Sequence, residues 1–252
     1  MKLVVSAKRV TLALIVVVLF LTLASLGQHF LDYLWSREGW ADEGLIAVPL
    51  RFNVGEEANV PTWYSSFILL LSSLLLAVIA AFKKSQADRY TLHWIVLSAI
   101  SLVMAVDETA MLHEALGETV ATVLGFVGYS PSGLLYAAWV IPGAVFVFIV
   151  ALAYLRFLFD LPKRTRLLFL VAGALFLVGA LGLEMLSSRL SSLYGWENLE
   201  SMPDKVKIVI AVQTAMEEFF EMSGVVVFIY ALLSYISSYV KEVTVQVRAD
   251  GE

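Results

Sequence analysis

The chain contains no cysteine among its 252 residues. Disulfides, thiolate metal centres, haem-attachment motifs and a cysteine nucleophile are thereby excluded. Histidine is almost as scarce. His29, His93 and His113 stand far apart in the sequence, which argues against a structural tetrahedral zinc site. Charge is thin as well: Asp, Glu, Lys and Arg make up 15% of the chain, against about 25% in a soluble globular domain. The net charge of -5 comes with no basic arm, so nucleic acid is not an expected partner. Walker, Gly-x-Ser-x-Gly and His-Glu-x-x-His motifs are missing, as are the Glu-x-x-His pairs of four-helix di-iron proteins.

Apolar residues fill the space that these leave. They form 60% of the chain, the mean hydropathy is +0.84, and they come in long runs rather than amphipathic stripes. A water-soluble fold of this size has no interior that could hold them. The sequence therefore predicts an integral membrane protein in contact with a lipid bilayer. Spanning the hydrocarbon core takes about 20 apolar residues, and six segments qualify, at approximately 10–31, 62–82, 90–112, 133–157, 166–188 and 207–238. The first follows Lys2, Lys8 and Arg9 as a signal peptide would, but its apolar run is long for one, and we read it as a retained helix. No linker or low-complexity stretch interrupts the chain. The expected fold is an all-α, polytopic transmembrane bundle of about six helices, with residues 1–252 forming one domain.

Lysine and arginine near the helix ends orient such a bundle. With the N-terminus in the cytoplasm, the inner side carries Lys2, Lys8, Arg9, Lys83, Lys84, Arg89, Arg156, Lys163, Arg164, Arg166, Lys241 and Arg248. The outer side carries Arg37, Arg51, Arg189, Lys205 and Lys207. That is twelve against five, which accounts for all 17. Both termini are expected inside, in a multi-pass protein of the plasma (inner) membrane. Trp35, Trp40, Trp63 and Tyr64 cluster at the outer boundary, where amphipathic rings suit the headgroups; residues 44–50 read as loop. Pro142 and Gly143 predict a kink in the fourth helix. Ala172, Gly179 and Gly182 share one face of the fifth, a small-residue surface on which a second copy or another subunit of a membrane complex could pack.

The functional content lies in the acids. Ionisable groups inside a bilayer are costly and face a bundle interior or a wet cavity. In the assumed orientation Asp107 and Glu108 occupy the outer part of the third helix, with His113 and Glu114 at its end. Glu184 lies near the outer end of the fifth, Glu217, Glu218 and Glu221 lie midway along the sixth, and His29 and Asp32 end the first. At about 100° per residue, Asp107, Glu114 and Glu118 share a face if the third helix continues, and His113 points away from it. Gln213, Thr214, Glu217, Glu218 and Glu221 form one wedge on the sixth. Glu184 points away from the Ala172, Gly179 and Gly182 face and lines up with Gly173 and Ala180.

Several carboxylates in one low-dielectric space cannot all stay ionised without a cation or shared protons. Asp107, Glu108, His113, Glu114, Glu184, Glu217, Glu218 and Glu221 are accordingly the candidate ligands of a divalent ion of the Mg, Ca, Mn or Fe(II) type, because oxygen donors with at most one or two imidazoles suit such ions. The function that fits best is cation binding or transport at an outward-facing site. A membrane-embedded metal-dependent enzyme acting on a lipid or other apolar substrate is the second reading, since the inner halves of the helices offer little polarity beyond Ser72, Ser73, Ser98 and Ser101. A helical subunit of a larger membrane complex, without catalysis, is the third.

Overall fold

The computed structural model describes residues 6–38, 51–194 and 202–239, and among these it is all-helical. Trp40, residues 44–50, Lys2, Lys241 and Arg248 lie outside the described residues, as does the side chain of Trp35. The described residues form eight α-helices: α1 (Ala7–Glu38), α2 (Val60–Ser85), α3 (Thr91–Ala110), α4 (Leu112–Phe126), α5 (Val140–Asp160), α6 (Lys163–Leu177), α7 (Glu184–Tyr194) and α8 (Asp204–Tyr239). A π-helical segment, Val178–Leu183, joins α6 to α7 without a turn, and a short 3-10 turn, Gly133–Leu135, precedes α5. Six spans are long and apolar enough to cross a membrane: α1, α2, α3, α5, the continuous α6–π–α7 rod, and α8. The chain is an integral membrane protein, and its outer faces agree. Leu12, Phe148 and Leu167 are each more than 60% exposed, apolar groups that lipid, not water, must cover.

The two most buried spans, α2 and α8, form the axis of the bundle. α2 lies along α3, while α1 and α6 lie against α8. One core layer joins Val18 and Leu21 of α1, Tyr64 and Ile68 of α2, Ala105 of α3, and Met222, Val225 and Ile229 of α8. A second, nearer the basic end, joins Leu76 and Ile79, Trp94, Phe157, and Leu232 with Tyr235. Lipid tails are as apolar as these side chains, so close packing and interhelical hydrogen bonds supply the cohesion. The α2–α3 seam is stitched by serines: Ser73 Oγ donates to Ser98 O (2.8 Å), Ser98 Oγ to Ser73 O (2.9 Å), Ser101 Oγ to Leu69 O (3.0 Å) and Ser66 Oγ to Ala105 O (2.7 Å).

Three sequence expectations are corrected here. The fourth span begins at Val140 instead of 133, so Pro142 falls in the first turn of α5. There its missing N–H has no helical acceptor to lose, which removes the reason for a kink. Residues 112–126, beyond the expected end of the third helix, form α4, whose two glutamates hid it from a hydropathy reading. The small-residue face of the fifth span is spent inside the molecule. Ala172 is 3% exposed, and a Cβ on Gly224 of α8 would lie 2.9 Å from Ala172 O and 2.8 Å from Phe176 N. Ala172 and Gly179 therefore seat α8, which removes them as a docking surface for another subunit; Gly182 remains exposed.

Candidate functional site

The acids gather at the end of the bundle that carries the 51–59 turn. Asn59 caps α2 by accepting from Thr62 N (3.0 Å), and its amide nitrogen donates to Asn53 O (2.5 Å) and Glu56 O (2.6 Å), closing the turn on itself. α1 fastens the turn from the side. Ser25 Oγ accepts from Val54 N (3.1 Å), Gln28 Oε1 accepts from Phe52 N (3.1 Å), and the His29 ring pairs with Asn53 Oδ1 (3.1 Å). Ser25, Gln28 and His29 of α1 thus hold the turn in place. Gly55 has to be glycine for closeness: a Cβ there would meet Thr214 Cγ2 at 2.8 Å. The turn thereby rests on α8 one turn before Glu217 and Glu218.

Asp107 and His113 are brought together by a break in the third span. Met111 adopts a left-handed conformation (φ 53°), ending α3 and starting α4 in a new phase. The chain folds back so that His113 N donates to Asp107 Oδ1 (2.7 Å) and His113 Nδ1 meets Asp107 Oδ2 (3.0 Å). An unbroken helix would point His113 away from the Asp107 face, and the break overturns that expectation. The break also detaches Glu114 and Glu118 from the Asp107 face and leaves both exposed. Burial pushes the His113 imidazole down, but the hydrogen bond and charge of Asp107, aided by Glu114 and Glu184, outweigh it and hold the ring above the ordinary histidine value. The ring packs edge-on against Trp139 (centroids 5.1 Å apart), and Gly117 keeps α4 close to the same residue.

Glu184 reaches α8 through the π segment. Five residues along an α-helix turn a side chain about 140° away, whereas in a π turn, with its i to i+5 bonding, they stack. Gly179 and Glu184 therefore face α8 together. A Cβ on Gly179 would lie 2.6 Å from Glu221 Cγ and 2.7 Å from Glu217 O, and the Glu184 carboxyl engages that of Glu217 directly. This replaces the expectation that Glu184 turns away from the Gly179 face. Glu217 is buried, and Ser187 Oγ lies 3.4 Å from its Oε2. Glu218 and Glu221 are half-buried on the same stretch. The strongest charge effects on Glu218 come from Glu221, Glu108, Glu57 and Glu184; those on Glu221 come from Glu217, Glu108, Glu184 and Asp107. Every one is a carboxylate. Glu108 itself hydrogen-bonds Ser65 of α2.

Glu57 is the member that sequence reasoning missed. It sits exposed in the polar turn, at the rim of the acids, and nothing in its neighbours signals that this turn lies over them. Desolvation, then the charges of Glu114 and Asp107, hold it above the ordinary glutamate value against the pull of His113. Among the described residues no three His, Cys, Asp or Glu side chains stand close enough to enclose a metal ion by themselves. A metal would need neutral oxygens or side-chain rotation in addition.

Residues 7–236 match the model of a family described as Domain of unknown function (DUF8692). No curated protein and no solved structure matches the chain.

Proposed function

For a chain that belongs to this family, we propose that it handles cations at an intramembrane carboxylate site formed by Glu108, Glu184, Glu217, Glu218 and Glu221, opening toward the 51–59 turn. The observation that carries this reading is the company that Glu218 and Glu221 keep: carboxylates of α3, the π–α7 junction and α8 act on both, and Glu57 of the 51–59 turn acts on Glu218 as well. Repulsion of this kind in a medium of low dielectric persists only where a cation or shared protons offset it. The Glu184–Glu217 contact supports proton sharing, and an Mg, Ca, Mn or Fe(II)-type ion is the alternative occupant. Asp107 and His113 serve this site as a buttress, since each satisfies the other. The bias of lysine and arginine supports cytoplasmic termini, with the acids toward the outer face.

The serines supply one argument for the enzymatic reading. Ser73, Ser98 and Ser101 are engaged in the α2–α3 seam, and Ser72 bonds Ile68 O within α2. None is free to line a path toward the basic end, and an enzyme opening to one side needs no such path. Flux of protons and of divalent ions into proteoliposomes, together with metal content, separates the readings. Cation handling predicts loss of both binding and flux in the double variant Glu217→Gln, Glu221→Gln. Wild-type metal content and flux in that variant would refute the site.

A further inference from the structure

Next to the acids, α8 and α7 build a polar nest from side chains that are not carboxylates. Gln213 is 8% exposed and lies one turn before Glu217. Its Nε2 donates to Leu183 O (2.9 Å) and to Ser187 Oγ (2.6 Å). These contacts fix the amide, because the opposite orientation would set two carbonyl oxygens against each other. Oε1 is therefore left as the free end, buried and without a hydrogen-bond partner. A buried acceptor in that condition is costly and calls for a donor or a cation.

Ser187 ties the Gln213 amide, through its nitrogen, to the acids. The same hydroxyl that receives Gln213 Nε2 lies 3.4 Å from Glu217 Oε2, so Gln213 and Glu217 converge on one point. Helical side chains lean toward the N-terminus, which sets the Glu217 carboxylate over Gln213. Glu184 also engages Glu217 and shares a face of α7 with Ser187, three residues on.

We propose that Gln213 Oε1, Ser187 Oγ and the carboxylates of Glu184 and Glu217 are the ligands of one hard metal cation. The proposal rests on the carboxylate site described above and gives it a neutral half. Two carboxylates and two neutral oxygens form an oxygen-only set, which suits Na+, Mg2+ or Ca2+ and not a thiolate- or imidazole-seeking ion. The set also fits the lack, among the described residues, of any three acidic or imidazole groups that could enclose an ion unaided. The π segment finds a purpose here, since it brings Glu184 and Ser187 onto the stretch of α8 that carries Gln213 and Glu217.

The test is thermal unfolding of the full chain in detergent with NaCl, MgCl2 or CaCl2, against choline chloride at equal ionic strength. Variants are Gln213→Met, which keeps length but removes the oxygen, Ser187→Ala, Ser187→Thr, and Glu118→Gln as an exposed control. At least one of the three ions should raise the wild-type midpoint. Gln213→Met and Ser187→Ala should each need about tenfold or more of that ion for the same rise, whereas Ser187→Thr and Glu118→Gln should respond as wild type. If Gln213→Met does not fold, Ser187→Ala against Ser187→Thr decides alone. A wild-type response retained in Ser187→Ala and Gln213→Met would overturn the nest and leave the carboxylate reading standing. A wild type indifferent to all three ions would overturn the nest, while the carboxylate reading then stands or falls on proton and Mn2+ uptake.

Discussion

Replacing Gly224 by alanine tests the seam on which the acid site hangs. The added Cβ would lie 2.8 Å from Phe176 N, 2.9 Å from Ala172 O and 3.1 Å from Phe176 Cα, all backbone atoms of α6 that no rotamer change can move. Restoring van der Waals contact at about 3.5 Å requires the helices to part by about 0.7 Å. Overpacking of this kind costs about 1–3 kcal/mol, more than the gain of up to about 1 kcal/mol that alanine brings to a helix interior. Gly173→Ala is the matched control, because no atom lies within 4 Å of its Cβ position. Thermal unfolding in detergent, followed by the fluorescence of buried Trp94, should show Gly224→Ala destabilised and Gly173→Ala unchanged or stabilised. Because α6 carries the π segment, Gly224→Ala should also weaken cation binding. Equal stability of the two variants would refute the account of how α6 is held on α8.

Other outcomes follow from the same geometry. The Asp107–His113 pair holds the imidazole above its ordinary value, so its stabilisation is complete below about pH 6.5 and is lost as pH rises through the raised folded value. Asp107→Asn should lower midpoints by the equivalent of about 1 kcal/mol in acid and flatten that pH dependence; an unchanged profile would count against the latch. Ser98→Ala should cost about 0.6 kcal/mol in reversible unfolding, the usual scale of an interhelical hydrogen bond in lipid. Cysteine scanning should label the exposed Glu56 position from outside and Ser85 from inside, and labelling of both from one side would reverse or break the topology.

The spans were legible because hydropathy reports on length and composition, the two properties a bilayer selects. α2 was expected at 62–82 and runs Val60–Ser85; the last span was expected at 207–238 and runs Asp204–Tyr239. The site was legible only as an inventory of acids, because its geometry depends on two departures from α-helical phase. The left-handed Met111 is not a glycine and carries no sequence mark, yet it turns His113 onto Asp107. The π segment at Val178–Leu183 reads as ordinary apolar helix, yet it decides where Glu184 points. Glu57 was hidden for a different reason. Hydrogen bonds from α1 draw its turn over the acids, and a long-range contact of that kind leaves no periodicity.

We propose that the carboxylates around Glu217 hold a cation. Calorimetric titration of the purified wild-type protein with Na+, Mg2+, Ca2+ and Mn2+ and with protons, alongside Glu217→Gln, measures this most directly. Saturable, near-stoichiometric uptake of at least one of these cations by the wild type is expected, with its loss in Glu217→Gln. Titrations without saturable uptake, or indistinguishable between the two proteins, would contradict it.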